Sequence, residues 1–289
     1  MRSEQEMLDL LLNTARADER IRAVILNGSR ANPHARRDFF QDYDVIYLVT
    51  EMASFINDPD WIKRFGELMI HQLPDEMLDP PPGENDSYAY LMQFMDGNRI
   101  DLTLYPLSRR NELGKDSLSI LLLDKDGSLP PFAPASESGY LPEAPTARQY
   151  ADCCNEFWWV CPYVAKGLWR QEIIYARYML DEVVRPQLMK MLTWYIGVQT
   201  AFKINPGKSG KYFKQYLPAD LWDLLLETYS EAGYQQTWQA LIHMGSLFRE
   251  VAQPVAERFG YDYPRDEAAR VSSHLEHVRS LPPDAAEMY

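Results

Sequence analysis

Ile21-Arg22-Ala23-Val24-Ile25-Leu26-Asn27-Gly28-Ser29 and, after a polar stretch, Asp42-Tyr43-Asp44-Val45-Ile46-Tyr47-Leu48-Val49 are the segments on which the reading of the fold turns. Each carries an apolar run of strand length. Neither run alternates cleanly between apolar and polar, as expected of central strands covered on both faces. The first closes on Asn27-Gly28-Ser29, the composition of a tight turn, and the second opens on Asp42-Tyr43-Asp44. Successive side chains of a strand point to opposite faces, so Asp42 and Asp44 project to the same side, about 6.6 Å apart along the chain.

Upstream, Ser3 and Glu6 form a capping box ahead of Met7, Leu8, Leu11, Leu12 and Ala15, which share one helical face. Downstream, the spacing predicts a helix over Trp61 to Gln72, and the run Pro80-Pro81-Pro82-Gly83 breaks whatever precedes it. Ser87 to Met95 and Arg99 to Tyr105 flank Asp96-Gly97-Asn98, the pattern of a hairpin. The proline-rich stretch Leu129 to Pro145 reads as a linker. From Thr146 the pattern turns helical and aromatic, with further helices expected over Asp181 to Phe202, Ala219 to Ala232 and Gln235 to Phe259. The expectation is an α+β chain: a mixed sheet flanked by helices over residues 1–135, then an all-helical domain over 136–289.

The chain of 289 residues is 46% hydrophobic and 12% aromatic, enough to bury a substantial core. Its net charge of -13 disfavours non-specific nucleic-acid binding. That charge suits a cationic ligand, although a solvated acidic surface produces the same balance. Cys153, Cys154 and Cys161 lack disulfide-framework or zinc spacing and read as reduced core residues. His274 and His277 are three apart but have no supporting ligands around them. The amino-terminal stretch is charged, without the apolar core of a signal peptide, and no membrane span is seen, so the cytoplasm is the expected compartment.

The chemistry resides in a constellation. A third acid, Asp101, lies inside the strand Arg99 to Leu104, whose Ile100, Leu102 and Leu104 make the opposite face apolar. Such a carboxylate stands on a wet face or has a partner; Arg99 qualifies as that partner only if the strand bends. Asp42 and Asp44 can share hard cations such as magnesium, which accepts oxygen ligands and keeps substrate phosphates in its shell. Gly28 lets a phosphate approach the backbone, and Ser29 offers a hydroxyl and an amide. With two metals, an in-line displacement would need little from the protein beyond positioning and charge neutralisation. Singly, a Gly-Ser turn or an Asp-x-Asp pair is commonplace; in this order and spacing the set is far more specific.

Gly28-Ser29, then Asp42-x-Asp44, then Asp101 on a later strand resembles the DNA polymerase β-type nucleotidyltransferase superfamily. A closer resemblance is to the aminoglycoside 6-adenylyltransferases. It is carried by Asn27-Gly28-Ser29-Arg30, Phe40-Gln41-Asp42-Tyr43-Asp44, Asp96 to Leu104, Leu122-Leu123-Asp124-Lys125-Asp126, Pro145-Thr146-Ala147-Arg148, Cys153 to Trp158, and Lys208 to Leu217. The resemblance implies a nucleotidyltransferase-fold domain at residues 1–135 and a helical substrate-binding domain after it. It also implies transfer of AMP from ATP, with magnesium as cofactor, to the 6-hydroxyl of streptomycin, releasing pyrophosphate. Gly28 and Ser29 would serve the triphosphate and Asp42 and Asp44 the magnesium. Asp101 would be the third carboxylate, as base or as metal ligand.

Further candidates are Arg30, Lys208 and Lys211 for the nucleotide; the segment around Lys208 does not fit P-loop spacing. Asp152 and Glu156 are spaced to share a helix face, and with Trp159 they are candidates to receive guanidinium groups of an acceptor. The expected partners are ATP and a small cationic acceptor, with no nucleic acid and no membrane, the chain acting as a monomer. Two other readings keep part of this: the same chemistry on another small molecule or a protein hydroxyl, or a non-catalytic module binding a cationic ligand. The intact Gly28, Ser29, Asp42, Asp44 and Asp101 argue against the second.

Overall fold

The computed structural model describes residues 1–79 and 86–289, so the expected break at Pro80 to Gly83 lies outside the described residues. The chain divides into two compact units, Met1–Gly139 and Tyr140–Tyr289. No helix among the described residues is long and apolar enough to cross a membrane.

The first unit opens with α1 (Glu4–Ala17), started by the capping box of Ser3 and Glu6. Strand β1 (Ile21–Asn27) runs directly into the short helix α2 (Gly28–Ala31); β2 (Tyr43–Val49) and the single turn α3 (Ala53–Ile56) follow. Then come β3 (Leu68–Gln72), the hairpin β4 (Tyr88–Phe94) and β5 (Arg99–Pro106), and β6 (Ser119–Asp124). The sheet order is β3-β4-β5-β2-β1-β6, with β2 and β5 parallel and the other pairs antiparallel. The apolar runs Ile21–Asn27 and Tyr43–Val49 are thus interior strands.

One face of this mixed sheet carries the larger core. Leu26, Val45, Tyr47, Ile100, Leu102 and Leu104 pack there with Met7 and Leu11 of α1 and with Phe55, Trp61 and Phe65. The Tyr47 hydroxyl donates to the Leu11 carbonyl at 2.7 Å, which satisfies a phenol buried in that core. The opposite face has a smaller cover over Ala23, Ile25 and Leu48, contributed by Leu113, Leu129 and Phe132. Beyond that cover the face presents polar side chains at the end where β1 finishes and β2 begins.

The expected helix over Trp61 to Gln72 is not formed. Trp61–Phe65 makes a 3-10 turn, and Leu68–Gln72 is the edge strand β3. Gly66 ends the helical run: its φ of 138° is open to glycine and strained for other residues, and a Cβ there would crowd the Arg2 guanidinium. The apolar spacing of Trp61, Ile62 and Phe65 reports one buried turn, while β3 pairs with the free edge of β4. The proline-rich segment also departs from a bare linker. Leu129 and Phe132 pack on the sheet, and the Ser136 amide donates to the Ser117 carbonyl at 2.8 Å.

The second unit is all-helical. Its long helix α4 (Ala147–Trp169) begins at a capping box of Thr146 and Gln149. It is followed by α5 (Ile173–Tyr178), a π-helical stretch over Met179–Val184, α6 (Arg185–Gln199), α7 (Phe213–Tyr216), α8 (Ala219–Glu227), α9 (Tyr234–Phe259) and α10 (Arg265–Ser280). The aromatic run of α4 is chiefly core: Phe157 stacks on Phe248 with centroids 3.8 Å apart, and Trp158 packs edge-on against both. The three cysteines are free and buried, and burial pushes the Cys153 and Cys154 thiols up to about 12, consistent with inert packing residues.

Candidate active site

The polar end of the first unit's sheet is assembled by strand register. Asp44 stands opposite Asn27 on β1 and opposite Asp101 on β5. Directly opposed residues share a face of a sheet, so the three side chains lie in one row. Asp42, one residue before β2, projects to the same side two positions along. Strand pairing thus sets the acids in one row beside the tight turn.

Gly28 makes this row possible in a way the sequence did not predict. Its φ is 70°, and a Cβ added there would overlap the Asp44 Oδ2. The space that glycine leaves open is filled by the Asp44 carboxylate. The Gly28 amide donates to the Leu118 carbonyl at 3.1 Å, which pins the turn to the segment entering β6. The Ser29 carbonyl accepts from the Gln41 side-chain amide at 3.2 Å, and the Ser29 hydroxyl has no internal hydrogen-bond partner among the described residues.

Arg30 is buried, and its donors point inward. Its Nε and Nη2 donate to the carbonyls of Asp42 and Gln41 at 3.1 and 2.8 Å, and the guanidinium lies 3.7 Å from the centroid of the Tyr43 ring. Its remaining ion pair is with Glu4 at 3.4 Å. This places Arg30 as a clamp on the backbone that presents Asp42. Direct nucleotide contact, the sequence expectation, is left to the remaining N–H groups of the guanidinium.

Asp101 has a partner after all, and β5 need not bend to supply it. Arg99 Nε and Nη2 donate to the two Asp101 carboxylate oxygens, each at 2.8 Å, a bidentate pair. Residues two apart in a strand share a face, and the long arginine stem brings its fork over the shorter aspartate. The same guanidinium lies 3.7 Å from Asp42. The signal for this contact was the Arg-x-Asp spacing itself.

The electrostatics follow from this crowding. Burial foremost, then the charges of Asp101 and Asp42, push the Asp44 carboxyl up to about 6, with Arg99 working against them. Asp42 is also raised, chiefly by burial, with Arg99 opposing and Asp101 adding. Anionic charge therefore exceeds local positive charge, which is the condition a divalent cation would relieve. Among the described residues no three acidic, histidine or cysteine side chains already converge as a closed metal cage. Magnesium does not require one, since it is held by one or two carboxylates plus waters and substrate phosphates. The donor set therefore fits a hard divalent cation completed by a ligand.

The remaining candidates lie in the second unit. Lys208 opens a 3-10 turn whose Gly207, Ser209 and Gly210 all have positive φ. With Lys190, Thr193 and Asn205 it lines a cleft of about 710 Å³. Lys211 sets its ammonium 5.4 Å from the Tyr212 ring centroid. On α4, Asp152 and Glu156 are exposed, and Asp152 pairs with Arg148 at 2.9 Å. Trp159 is 63% exposed and borders a hollow of about 430 Å³ with Tyr163, Glu267 and Arg270. Lys208 and Trp159 thus line different hollows, and Asp152 and Glu156 border neither.

Known proteins match this chain across both units. The family model described as streptomycin adenylyltransferase matches residues 1–278. The chain is 42% identical over 266 residues to an aminoglycoside 6-adenylyltransferase of Bacillus subtilis, covering 91% of this chain and 94% of that protein. To the enzyme of the same name from Campylobacter jejuni it is 43% identical, covering 91% and 92%. To that from Staphylococcus aureus it is 36% identical, covering 92% and 95%. A match spanning both units, with the carboxylate row inside it, shows that the chain belongs to the streptomycin adenylyltransferase family.

Proposed function

We propose that this chain transfers AMP from ATP to a hydroxyl of an aminoglycoside, the 6-hydroxyl of streptomycin, and releases pyrophosphate. The observation that carries the reading is the row Asp42, Asp44 and Asp101, set by the register of β2 and β5 in a chain alike over nine-tenths of its length to aminoglycoside 6-adenylyltransferases. In the reaction the acceptor oxygen bonds to the α-phosphorus as the bond to the pyrophosphate oxygen breaks. The hydroxyl proton leaves to a base.

Asp42 and Asp44 would hold magnesium, with Asp101 as a further ligand or as the base. When bound, the metal neutralises charge on the triphosphate and on the departing pyrophosphate. The chain's own residues supply placement. Gly28 gives Asp44 its room, Arg30 fixes the backbone carrying Asp42, and the Ser29 hydroxyl is free to donate to a phosphate oxygen. Lys208 and Lys211 are proposed to meet the triphosphate as cations. On α4, Asp152, Glu156 and Trp159 are proposed to receive the cationic groups of the acceptor, acids by charge pairing and the indole by cation–π contact. The chain's net charge of -13 supports a cationic acceptor over a polyanionic one. The reading takes the enzyme to act as a monomer in the cytoplasm.

Incubation with ATP, magnesium and individual aminoglycosides, followed by mass spectrometry, tests the proposal. A product heavier than streptomycin by one AMP residue, with matching pyrophosphate, is expected. ATP bound in a magnesium-dependent way without any aminoglycoside adduct would move the search to another acceptor.

A further inference from the structure

The bidentate grip of Arg99 on Asp101 is partly open to solvent, with 41% of the Arg99 side chain and 20% of the Asp101 side chain exposed, so screening trims what it adds to folding. Yet the guanidinium occupies a particular place. It holds both oxygens of Asp101 and reaches Asp42 at 3.7 Å, lying over the row of acids. Room to leave is at hand, because Arg99 borders a depression of about 320 Å³ along β3 and β4, beside Gln72, Leu91 and Gln93. Leu91 and Gln93 stand in register with Asp101 and Arg99 and so share their face of the sheet.

We infer that Arg99 is the resident counter-ion of the carboxylate row, a positioning residue that holds Asp101 until a divalent cation and a triphosphate take its place. The inference rests on the proposed metal role of the acids. The guanidinium already paired with both oxygens of Asp101 repels a divalent cation drawn to the same carboxylate, so cation entry competes with Arg99. A triphosphate offers the freed fork a new bidentate anionic partner. Metal alone should therefore bind weakly, and metal with nucleotide well. The excess charge of the acids is partly offset, and Asp101 kept oriented, until the substrate arrives.

The test is calorimetric titration of the nucleotide-free protein with magnesium or manganese alone, in wild type, Arg99→Gln, Arg99→Lys and Asp44→Asn. Removing one positive charge a few ångströms from the metal position should tighten metal binding about tenfold or more. Arg99→Lys, which keeps the charge, should stay near wild type, and Asp44→Asn should lose affinity at least tenfold. If Asp44→Asn weakens binding but Arg99→Gln binds no tighter than wild type, the role of Arg99 is overturned and the carboxylate site stands. Metal binding indifferent to Asp44 overturns the proposed site itself. Should Arg99→Gln fail to fold, the wild-type Arg99 Nε–H resonance answers the same question. It must shift under saturating magnesium, and an unmoved resonance overturns the inference.

Discussion

Asp44 faces Asp101 across the one parallel pairing in the sheet, while on its other flank the Cα of Gly28 leaves just the room its carboxylate fills. Two acids are thus held side by side by backbone pairing, and a glycine is committed to one of them. The arrangement raises the free energy of the ionised metal-free site, which is the origin of the pH behaviour expected of this protein.

Asp44 binds a proton more tightly in the folded chain than in the unfolded one, since its carboxyl rises from 3.8 to about 6. Between those values the folded state holds the extra proton, so stability falls as pH rises through that window and stays lower above about 6. Asp44→Asn should therefore stabilise the metal-free protein at pH 7.5 by up to about 3 kcal/mol, read as a higher melting temperature. The gain should shrink toward pH 4.5. A variant equally stable or less stable at pH 7.5 would show that the ionised carboxylate is not under strain.

Gly28→Ala puts a methyl group where the Asp44 carboxylate lies, at a φ unfavourable to alanine. A cost of about 1–3 kcal/mol in folding is expected, with turnover reduced far beyond that because Asp44 is displaced. Urea denaturation and initial rates would separate the two effects. Unimpaired turnover would show that Asp44 tolerates the shift.

Arg30→Ala removes the hydrogen bonds to the Gln41 and Asp42 carbonyls and the stacking on Tyr43. A loss of roughly 2–4 kcal/mol is expected. Arg30→Lys should recover only part of it, because a single ammonium cannot reproduce the fork. If the lysine variant denatures at the wild-type urea concentration, the clamp is not what Arg30 provides.

In the helical unit, Phe157→Ala opens a cavity beneath the stacked Phe248 ring and should cost about 3–5 kcal/mol. By contrast, Asp152→Asn and Glu156→Gln lie on an exposed helix face and should leave melting within about 0.5 kcal/mol. Their effect is expected on acceptor affinity, read by calorimetry, with ATP affinity unchanged. Equal acceptor binding in both variants would remove these acids from the acceptor site.

Much of this was legible in the residues. The apolar runs of β1 and β2, the hairpin around Gly97 and the spacing of Asp42 and Asp44 depend on local pattern, and local pattern reports them. What was not legible depended on partners distant in sequence. The stretch around Ile70 carried enough apolar residues to read as helix, but the free edge of β4 and the backbone of Gly66 make β3 of it. Arg30 reads as a free cation beside Ser29 until the loop returns Gln41 and Asp42 to its guanidinium. Gly28 reads as an opening for phosphate, because nothing in the sequence reveals that Asp44 fills that space.

The most direct test of the central claim is the rate of AMP transfer to streptomycin by Asp44→Asn, with its folding verified by circular dichroism. If Asp44 belongs to the transfer centre, turnover should fall at least a hundredfold while the unfolding transition remains cooperative and no less stable than wild type. Near wild-type turnover in the folded variant would contradict the account, leaving the row of carboxylates without its proposed work.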